Sequence, residues 1–497
     1  MTNKTWIGNT TDYANGLNWN PNGQPNIGDT AVFSSSGMNK TVDVTFTSGF
    51  STTLNEWLFN GSAYTVNVST SVALQGAGIQ AISGGSGLIK LGSSGVLTFQ
   101  NASSAGSGTI ETLAGTNGSI FFQGHSDGGT ARLIIGDSTG TIDFSGSVGP
   151  NGDNKIAAGS IEGVGNVNIG PNQLLTVGSN NLSTIFSGNI LAGGHSSLTK
   201  VGSGTLTLSG FDEYAGGTLT LQGGTVDLGS ATADSFAFTA FGAAAHGTLR
   251  IESAALPGGL FAPIILGFAF GDSVDLPCLP FVPGATATPG APHTLSVSNG
   301  SSTVTFDDLE TSGPGNRFAA ITDGAGGTDV VLAIIATKKH ELVDAMHHPP
   351  GQPSPTRGPE VIIALGAYET IKGLGGNDSL VGGAVGDQLY GGRGADHFIF
   401  ESLTSPSRHP DTIVDFSHAQ HDKIDLSGLR ALVPGDVPLV FIHAQSFAHY
   451  HHTHPSVFGM VRYSQGLVEV NVNHHLTNEF EIVMHGAPAL HASDFVL

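Results

Sequence analysis

The chain has 497 residues, of which 73 are glycine and only 11% are charged. Lysine and arginine together number 17, against 39 aspartates and glutamates, which gives a formal net charge of −22 at pH 7. This acidic balance argues against binding to nucleic acid, which needs a basic surface, and against binding to an anionic membrane. Glycine stands at about twice its usual share, and Val, Leu, Ile and Phe recur at strand spacing, which favours stacked β-coils over disorder.

The number of cysteines and the N-terminal sequence indicate where the protein is located relative to the cell. The single cysteine, Cys278, cannot form a disulfide within the chain, which suits a protein that is exported unfolded and then stabilised by metal. The opening MTNKTWIGNT contains no apolar segment typical of a cleaved signal peptide. No run of about 18 apolar residues occurs, so the sequence predicts no transmembrane helix.

Residues 1–230 are predicted to form a β-solenoid. Alternating runs such as Thr205–Leu208 and Thr218–Leu221 are separated by Gly-Ser or Gly-Gly turns, and helical periodicity is absent. The segment 198–228, LTKVGSGTLTLSGFDEYAGGTLTLQGGTVDL, resembles the passenger-associated repeat of bacterial autotransporters, which implies a right-handed parallel β-helix. The opening TWIGNTTDYANGLNWNPNGQPNIGDTAVF resembles the start of such passengers, in which Trp6 and Trp19 would seal the first coil, although a general core role explains them equally well.

Two further regions precede the most informative segment. Residues 231–336 are richer in phenylalanine and proline, and we interpret them as a separate β-rich module. Within it, GFAFGDSVDL (267–276) is similar to DFSHAQHDKIDL (415–426), and TDVVL is similar to the final SDFVL, which suggests two related caps. Residues 337–359, TKKHELVDAMHHPPGQPSPTRGP, are predicted to be a proline-rich linker with a short helix at its start.

Residues 373–399 consist of three consecutive nonapeptides, GLGGNDSLV, GGAVGDQLY and GGRGADHFI. Each has an aspartate at its sixth position and an apolar residue at its eighth, which is the G-G-x-G-x-D-x-U-x pattern of the calcium-binding parallel β-roll. The glycine-rich half makes a tight turn, and the last three residues form a short strand. Three units in register argue against a flexible loop that is merely rich in glycine and aspartate. Residues 360–400 are therefore predicted to be a calcium-binding β-roll of the RTX type.

The spacing of the repeats predicts which carboxylates meet. Two nonapeptides make one turn of the roll, so Asp378 should lie over Asp396, among loop carbonyls that suit calcium. On the other side Asp387 should lie over Glu369, in the degenerate unit ALGAYETIK (364–372). That unit has lost most of its glycines, and the middle nonapeptide has Val385 where a glycine is expected. We therefore expect one well-formed calcium site and one less complete site. The predicted calcium-binding residues are Glu369, Gly373, Gly375, Asp378, Gly382, Asp387, Gly391, Gly392, Gly394 and Asp396.

Residues 401–497 are predicted to form a C-terminal β domain. The segment FIFESLTSPSRHPDTIVDFSHAQHDKIDLSGL (398–429) resembles the domain that follows the β-roll in serralysin-type secreted proteins. The last four residues, Asp494, Phe495, Val496 and Leu497, resemble the uncleaved signal of type I secretion, an acidic residue followed by apolar ones. The resemblance covers roughly residues 360–497, and it implies calcium binding and export through an ABC-transporter channel.

Two histidine patterns could bind a transition metal. His340-Glu341-Leu-Val-Asp344 is similar to the zincin motif H-E-x-x-H, but its fifth residue is aspartate, it adjoins the proline-rich segment and no third ligand follows at the expected spacing. We therefore interpret it as part of a charged linker helix and predict no zinc protease. The densest histidine cluster could bind zinc, nickel or copper, or could be a solvated loop; its members are His443, His449, His451, His452 and His454.

No motif predicts a catalytic residue. Parallel β-helices also serve as polysaccharide lyases and epimerases, which need acids and bases crowded on one face. The lysines and arginines of residues 1–230 are scattered in sequence; they are Lys4, Lys40, Lys90, Arg132, Lys155 and Lys200. We therefore predict a secreted, non-enzymatic, calcium-binding solenoid protein of the cell surface or matrix, with a role in adhesion or structure through contacts with glycans or with its own copies. The alternative is a lyase or epimerase with a catalytic face assembled across coils.

Overall fold

The computed structural model describes residues 2–45, 52–210, 212–214, 217–229, 236–242, 246–311, 317–383, 385–403, 409–435, 437–473 and 475–497. The chain divides into two compact units, residues 1–249 with 263–265 and residues 250–262 with 266–497. Nearly all of its regular structure is β, in parallel solenoid coils, which confirms the predicted fold class.

The strands share a short length and a mostly parallel pairing. In the first part of the chain they are β1 (Asn3–Trp6), β2 (Trp19–Asn20), β3 (Thr30–Ser34), β4 (Thr41–Val44), β5 (Thr52–Asn60), β6 (Ala63–Val68), β7 (Ser71–Ile82), β8 (Ser86–Leu91), β9 (Val96–Phe99), β10 (Thr109–Thr112), β11 (Ser119–Gly124), β12 (Gly128–Ile135), β13 (Thr141–Ser147), β14 (Lys155–Gly163), β15 (Asn166–Ile169), β16 (Leu174–Val177), β17 (Thr184–Phe186), β18 (Asn189–Ala192), β19 (Ser197–Lys200), β20 (Thr205–Leu208), β21 (Asp212–Tyr214), β22 (Thr218–Leu221), β23 (Gly224–Leu228), β24 (Phe238–Phe241) and β25 (Gly247–Ile251).

The remaining strands are β26 (Leu260–Phe261), β27 (Ile264–Phe268), β28 (Ser273–Leu276), β29 (Thr286–Pro289), β30 (Leu295–Ser298), β31 (Thr303–Phe306), β32 (Leu309–Thr311), β33 (Arg317–Thr322), β34 (Thr328–Ala336), β35 (Leu342–Val343), β36 (Val361–Ala364), β37 (Thr370–Lys372), β38 (Ser379–Gly382), β39 (Gln388–Tyr390), β40 (His397–Ile399), β41 (Asp411–Ile413), β42 (Lys423–Asp425), β43 (Val440–Phe441), β44 (Met460–Ser464), β45 (Leu467–Asn471), β46 (Phe480–Met484) and β47 (Phe495–Val496).

Helical structure is sparse in the described residues. The α-helix is α1 (Phe447–Thr453), with the Ser446 side chain accepting a hydrogen bond from His449 N at its N-terminus. The short 3-10 turns are Gly16–Asn18, Ser253–Ala255, Pro257–Gly259, His418–Gln420, Ser427–Leu432 and Ala492–Asp494. No helix in this part of the chain is both long enough and apolar enough to cross a membrane.

In the first unit, the coil strands after β2 pair in parallel with the equivalent strands of neighbouring coils. On one face Ile120 of β11 pairs with Ile142 of β13, and on another Leu198 of β19 pairs with Leu219 of β22. Because neighbouring side chains of a strand point to opposite faces, the alternating sequence places every second residue inside. Stacking of equivalent residues from successive coils therefore builds continuous columns of buried side chains along the solenoid core.

Aromatic side chains fill part of this core. Phe99, Phe122 and Phe144 stack face to face, with ring centroids 5.0 and 4.7 Å apart along the column. Trp6 and Trp19 are fully buried where β1 and β2 form an antiparallel pair, and their rings meet edge to face at 5.0 Å. Both tryptophans thus pack in the core of the first coils, where rings of this size bury a large apolar surface.

One lysine of the first unit is buried. Lys200 Nζ donates hydrogen bonds to the carbonyl oxygens of Val201, Gly202 and Gly223, at 2.9, 3.0 and 3.2 Å. Burial lowers the pKa of this ammonium group to about 8. Since its donors are satisfied by backbone from successive coils, Lys200 ties turns together and is not a free base.

The second unit contains two sets of parallel coil strands. One runs β36–β38–β40–β42–β47, and the other runs β35–β37–β39–β41–β46 before β45 and β44 continue it in antiparallel fashion. Apolar residues from both sets form one core, which includes Ile362, Leu380, Phe398 and Leu389. The roll is thus two short-stranded sheets closed over a thin apolar interior.

The prediction of a short helix at the start of residues 337–359 is wrong. Leu342–Val343 instead forms β35, which pairs in parallel with β37, and Val343 is fully buried in the core of the roll. The side-chain amide of Gln352 exchanges two hydrogen bonds with the backbone of Ile335. The segment packs on the roll because a short apolar pair gains more from extending a sheet than from an isolated helical turn.

The two segments expected to form related caps pair differently. In the upstream copy, β28 is antiparallel to β34, with Asp275 opposite Asp329. In the downstream copy, β42 is parallel to β47, with Asp425 opposite Val496. The two similar segments therefore lie in different sheet contexts.

Candidate calcium site

Strand register brings the repeat loops into line. On one face Leu380 pairs with Ile362 on one side and Phe398 on the other, and Phe398 pairs with Ile424. On the second face Leu389 lies between Ile371 and Ile413 in the same way. An acidic residue stands two positions before each of these buried residues, so the carboxylates stack in two rows. We call these rows the first and second carboxylate ladders.

The first carboxylate ladder is Glu360, Asp378, Asp396 and Asp422. Asp378 Oδ1 accepts a hydrogen bond from Glu360 N at 2.9 Å, and Asp396 Oδ1 accepts one from Asp378 N at 2.9 Å. Asp422 Oδ1 continues the pattern by accepting from Asp396 N at 3.0 Å. Asp378 therefore lies over Asp396, the arrangement that the repeat spacing predicts.

The second carboxylate ladder is Glu369, Asp387 and Asp411. Asp387 Oδ1 accepts from Glu369 N at 2.8 Å, and Asp411 Oδ1 accepts from Asp387 N at 2.8 Å. The Glu369–Asp387 pair, expected to be less complete, thus makes the same backbone contact as the Asp378–Asp396 pair. Tyr368 stacks on His340 beside this ladder, with centroids 5.3 Å apart, where the degenerate unit lacks glycines.

Three members of the ladders were missed by repeat matching. Glu360, Asp411 and Asp422 lie outside the three nonapeptides, and Asp411 and Asp422 contact partners 24 and 26 residues away, beyond the 18-residue step of the repeat. They share a three-residue sequence pattern in which an acidic residue stands two positions before a buried apolar residue, as in Asp411-Thr-Ile413 and Asp422-Lys-Ile424. The intervening loops are longer, but the strands still pair in register.

The second carboxylate oxygens of the ladders are placed to bind a cation. Glu369 Oε2 and the Oδ2 atoms of Asp378, Asp387 and Asp396 are buried and have no hydrogen-bond partner among the described residues. These four side chains are at most 1% exposed. A buried charged oxygen without a partner is costly, so the arrangement calls for a positive charge. Calcium fits this donor set, because it takes six to eight oxygens from carboxylates and backbone carbonyls.

Burial also shifts the acidity of these groups. It raises the pKa of Asp378 and of Glu369 to about 8, and the pKa of Asp387 and of Asp396 to about 6. A neighbouring carboxylate adds to the upward shift at Glu369, where Asp387 contributes, and at Asp396, where Asp422 contributes. Without a cation Asp378 and Glu369 are therefore mainly protonated near neutral pH, whereas Asp387 and Asp396 become protonated only below about pH 6.

At two positions only glycine leaves enough space for a ladder carboxylate. A Cβ atom at Gly373 would lie 2.2 Å from Asp378 Oδ2, and one at Gly391 would lie 2.3 Å from Asp396 Oδ2. These glycines leave room for the oxygens that lack a partner. Any side chain there would compete with the oxygen and its cation for the same space.

The other predicted glycines act through the backbone or the core. Gly392 and Gly394 have φ values of +100° and +134°, which glycine adopts most readily. A Cβ at Gly382 would meet the Phe400 ring at 2.7 Å, so that glycine serves packing. At Gly375 the nearest atom would be Arg393 O at 3.5 Å, an ordinary contact, so this position does not require glycine.

The zincin-like motif does not form a metal site of the protease type. His340 has a φ of +60°, and the segment forms a turn and strand β35 where a zincin would have a helix. Glu341 Oε2 accepts hydrogen bonds from Thr337 N and Lys338 N, at 3.0 and 3.1 Å. The glutamate is therefore committed to a local turn.

We expect the pH dependence of stability to reverse when calcium is added. In chelator, the carboxyl pKa values near 6 and 8 lie above their unfolded values near 4. The folded roll then binds protons more strongly than the unfolded chain, so its stability should fall as pH rises from about 4 to about 8. Calcium binds the ionised form, so its affinity should rise over the same range. Circular dichroism melts at several pH values, with chelator or calcium, measure both effects.

Tryptophan fluorescence provides the control for this experiment, because Trp6, Trp19 and Trp57 all belong to the first unit. It reports unfolding of the solenoid separately from that of the roll. If the stability of the roll in chelator rises with pH, the pKa values of the ladder carboxyl groups are not raised in the folded protein, and the expectation is contradicted.

A matched pair of glycine variants tests the space around the carboxylates. Gly391→Ala should weaken calcium binding by about tenfold or more, because overpacking of this kind costs roughly 1–3 kcal/mol. Gly375→Ala should bind calcium within about twofold of the unmodified protein, since its added methyl group has an ordinary contact distance. Isothermal titration with calcium measures both, and equal losses in the two variants would refute the steric argument.

The comparisons with known proteins concern the C-terminal part of the chain. Residues 357–497 match the family model for the C-terminal domain of the serralysins, peptidase family M10. A search of the curated proteins gave no significant match to this chain. The resemblance of residues 198–228 to autotransporter passengers stays a prediction. The C-terminal region is thus a serralysin-type β-roll domain, of a family associated with calcium-binding repeats and with secreted proteins.

Proposed function

We propose that this chain is a secreted, non-enzymatic protein whose roll folds on extracellular calcium and whose N-terminal solenoid acts in adhesion or as a structural element. The observation that carries the proposal is the set of buried carboxylate oxygens that have no hydrogen-bond partner in the described part of the ladders. Such an arrangement is costly to form without a cation and stable with one.

Calcium concentration would decide where the roll folds. At the low calcium level inside a cell, folding must either bury several like charges or protonate them, and both options cost free energy at neutral pH. Outside the cell, calcium binds the folded form and shifts the equilibrium by mass action. The ladders therefore suit a chain that stays unfolded until it has been exported.

The proposed secretion signal supports the same order of events. In the folded roll Asp494 is buried, and Phe495 pairs with Ile424 through strand β47. An exporter of the type I class could read Asp494–Leu497 only in a chain whose roll has not yet formed. Folding outside the cell would then withdraw the signal into the sheet.

The outer surface of the solenoid supports a role in weak, repeated contacts. Gln75, Gln100 and Gln123 form an exposed amide row, with side-chain hydrogen bonds of 3.0 and 3.4 Å between successive coils. Asn166 and Asn189 form a similar pair at 2.9 Å. Rows of amides and hydroxyls offer evenly spaced donors and acceptors, which suit glycan chains or a second copy of this protein.

A second candidate function is processing of an acidic polysaccharide, and one observation favours it. Lys90 and Glu111 are paired in register on neighbouring coils, and Arg132 on the next coil forms an ion pair with Glu162. Basic residues that are scattered in the sequence are thus brought to one sheet with acids beside them. The ion pair already neutralises Arg132, which favours a binding role over catalysis. Release of ultraviolet-absorbing products from pectate or alginate would establish the enzymatic alternative.

The calcium proposal is tested by neutralising the ladders separately. Asp378→Asn with Asp396→Asn should weaken calcium binding on the order of tenfold or more, because each substitution removes a charged ligand but keeps the side-chain shape. Asp387→Asn tests the second ladder in the same way. The measurement is the calcium concentration at which circular dichroism shows the roll folded. Asp153→Asn, at an exposed loop of the first unit, is the control, and calcium-induced folding that is unchanged in the ladder variants would refute the proposal.

Export is tested in cells that contain a serralysin-type transporter. Deletion of Asp494–Leu497 should leave the protein inside the cell, because the transporter would lack its recognition segment. Asp494→Asn separates loss of the acidic group from loss of strand β47. His491→Asn, an exposed neighbour, should be exported normally. Secretion of the deletion variant at the unmodified level would show that the signal lies elsewhere.

A further inference from the structure

Three side chains with metal-binding atoms meet beside the last strand of the roll. They are His418, His491 and Asp494, and one ligand atom from each lies within 4.8 Å of the other two. His418 Nδ1 is 2.5 Å from Asp494 Oδ1, and His491 Nδ1 is 3.6 Å from Asp494 Oδ2. The carboxylate thus lies between two imidazoles, each of which faces a different oxygen.

The backbone holds the carboxylate in this position. Asp494 ends the 3-10 turn Ala492–Asp494, its Oδ2 accepts a hydrogen bond from His491 N at 2.7 Å, and its own N–H donates to His491 O at 3.0 Å. Lys423 Nζ donates to Ser493 O and anchors the same turn to β42. His418 opens the turn that precedes β42. Two short turns that are 76 residues apart in sequence are therefore held against each other.

The donor set selects the kind of metal. Two imidazole nitrogens and one carboxylate oxygen suit zinc and other late first-row ions, whereas calcium requires many more oxygens. Asp494 is buried, but the two histidine side chains are 57% and 63% exposed. The buried ligand is thus fixed in place, and the exposed imidazoles leave the solvent side open for a water ligand.

Other histidine groups are less suited to a metal. His293, Asp308 and Glu310 also bring three ligand atoms together, but they offer a single imidazole, and none of the three residues is buried as a whole. In the cluster near α1, His454 stacks on Tyr450 at 4.3 Å, and His451 Nδ1 contacts Val457 O at 3.2 Å. No histidine of residues 443–454 belongs to a three-ligand group in the part of the chain that the structure describes.

We propose that His418, His491 and Asp494 form a transition-metal site that binds zinc physiologically. This site is separate from the calcium ladders. The metal would link the turn before β42 to the turn before β47. Since β47 pairs with β42 through Ile424 and Phe495, the ion would hold the final strand of the roll in the sheet. The site needs the folded roll, because its ligands come from distant parts of the chain.

Zinc titration of the full-length protein in saturating calcium tests the site. Isothermal titration should show one zinc ion bound more tightly than any other, and His491→Asn and His418→Asn should each weaken it by about tenfold or more. Hydrogen exchange provides a second measurement, in which zinc should slow exchange at the amide of Phe495 and its neighbours. His293→Asn and His452→Asn are the controls and should leave the tightest binding unchanged.

The zinc titrations of these variants distinguish binding at His418, His491 and Asp494 from binding at other histidines. Loss of tight zinc binding in both His418→Asn and His491→Asn, with calcium-induced folding retained, supports the site. Tight binding that survives either substitution, or that is removed by His452→Asn or His293→Asn, overturns it. Absence of a tight zinc ion in the unmodified protein overturns it as well.

Discussion

The stability of the C-terminal unit depends on what the two oxygens of each buried carboxylate contact. In each ladder one oxygen accepts a backbone N–H from the preceding coil, at 2.8–3.0 Å, and so ties one coil to the next. At Asp378, Asp387 and Asp396 the other oxygen is buried without a hydrogen-bond partner in the described residues. The same holds for Glu369 Oε2, while Glu369 Oε1 accepts from Gly366 N in its own loop. Leaving a buried acceptor unpaired costs about 1–3 kcal/mol, and more for a charged one. A cation bound to these oxygens would remove that cost and stabilise the folded roll.

The first unit achieves a similar coil geometry without that requirement. Its inward columns are apolar, with Phe99, Phe122 and Phe144 stacked along one row, and the buried ammonium group of Lys200 is satisfied by three carbonyl oxygens. Burial of apolar surface requires no bound ion and involves no titrating group. The two units thus share a strand pattern but differ in the interaction that stabilises them.

The last residues of the sequence are involved in both folding and the proposed export. Asp494 is buried, Phe495 pairs within the parallel sheet, and His418 and His491 flank the carboxylate. A segment with these contacts is accessible in the unfolded chain and withdrawn in the folded one. The same residues can therefore be recognised during export and then stabilise the roll, because the two states are separated in time.

The sequence by itself determined the β class, the stacked coils and the pairing of Asp378 with Asp396. These follow from short-range patterns, since alternation sets which residues point inward and a nine-residue period with two units per coil sets which loops coincide. Only the tertiary structure decided that Glu360, Asp411 and Asp422 extend the ladders, that β35 belongs to the roll, and that His418 reaches Asp494. Longer loops interrupt the period before Asp411 and Asp422, whereas Glu360 keeps the 18-residue step to Asp378 but lies in a segment that lacks most of the glycines of the repeat. An acidic residue two positions before an apolar one marks candidate members of the ladders, but which of them meet depends on strand register across the sheet, and that local pattern does not encode the register.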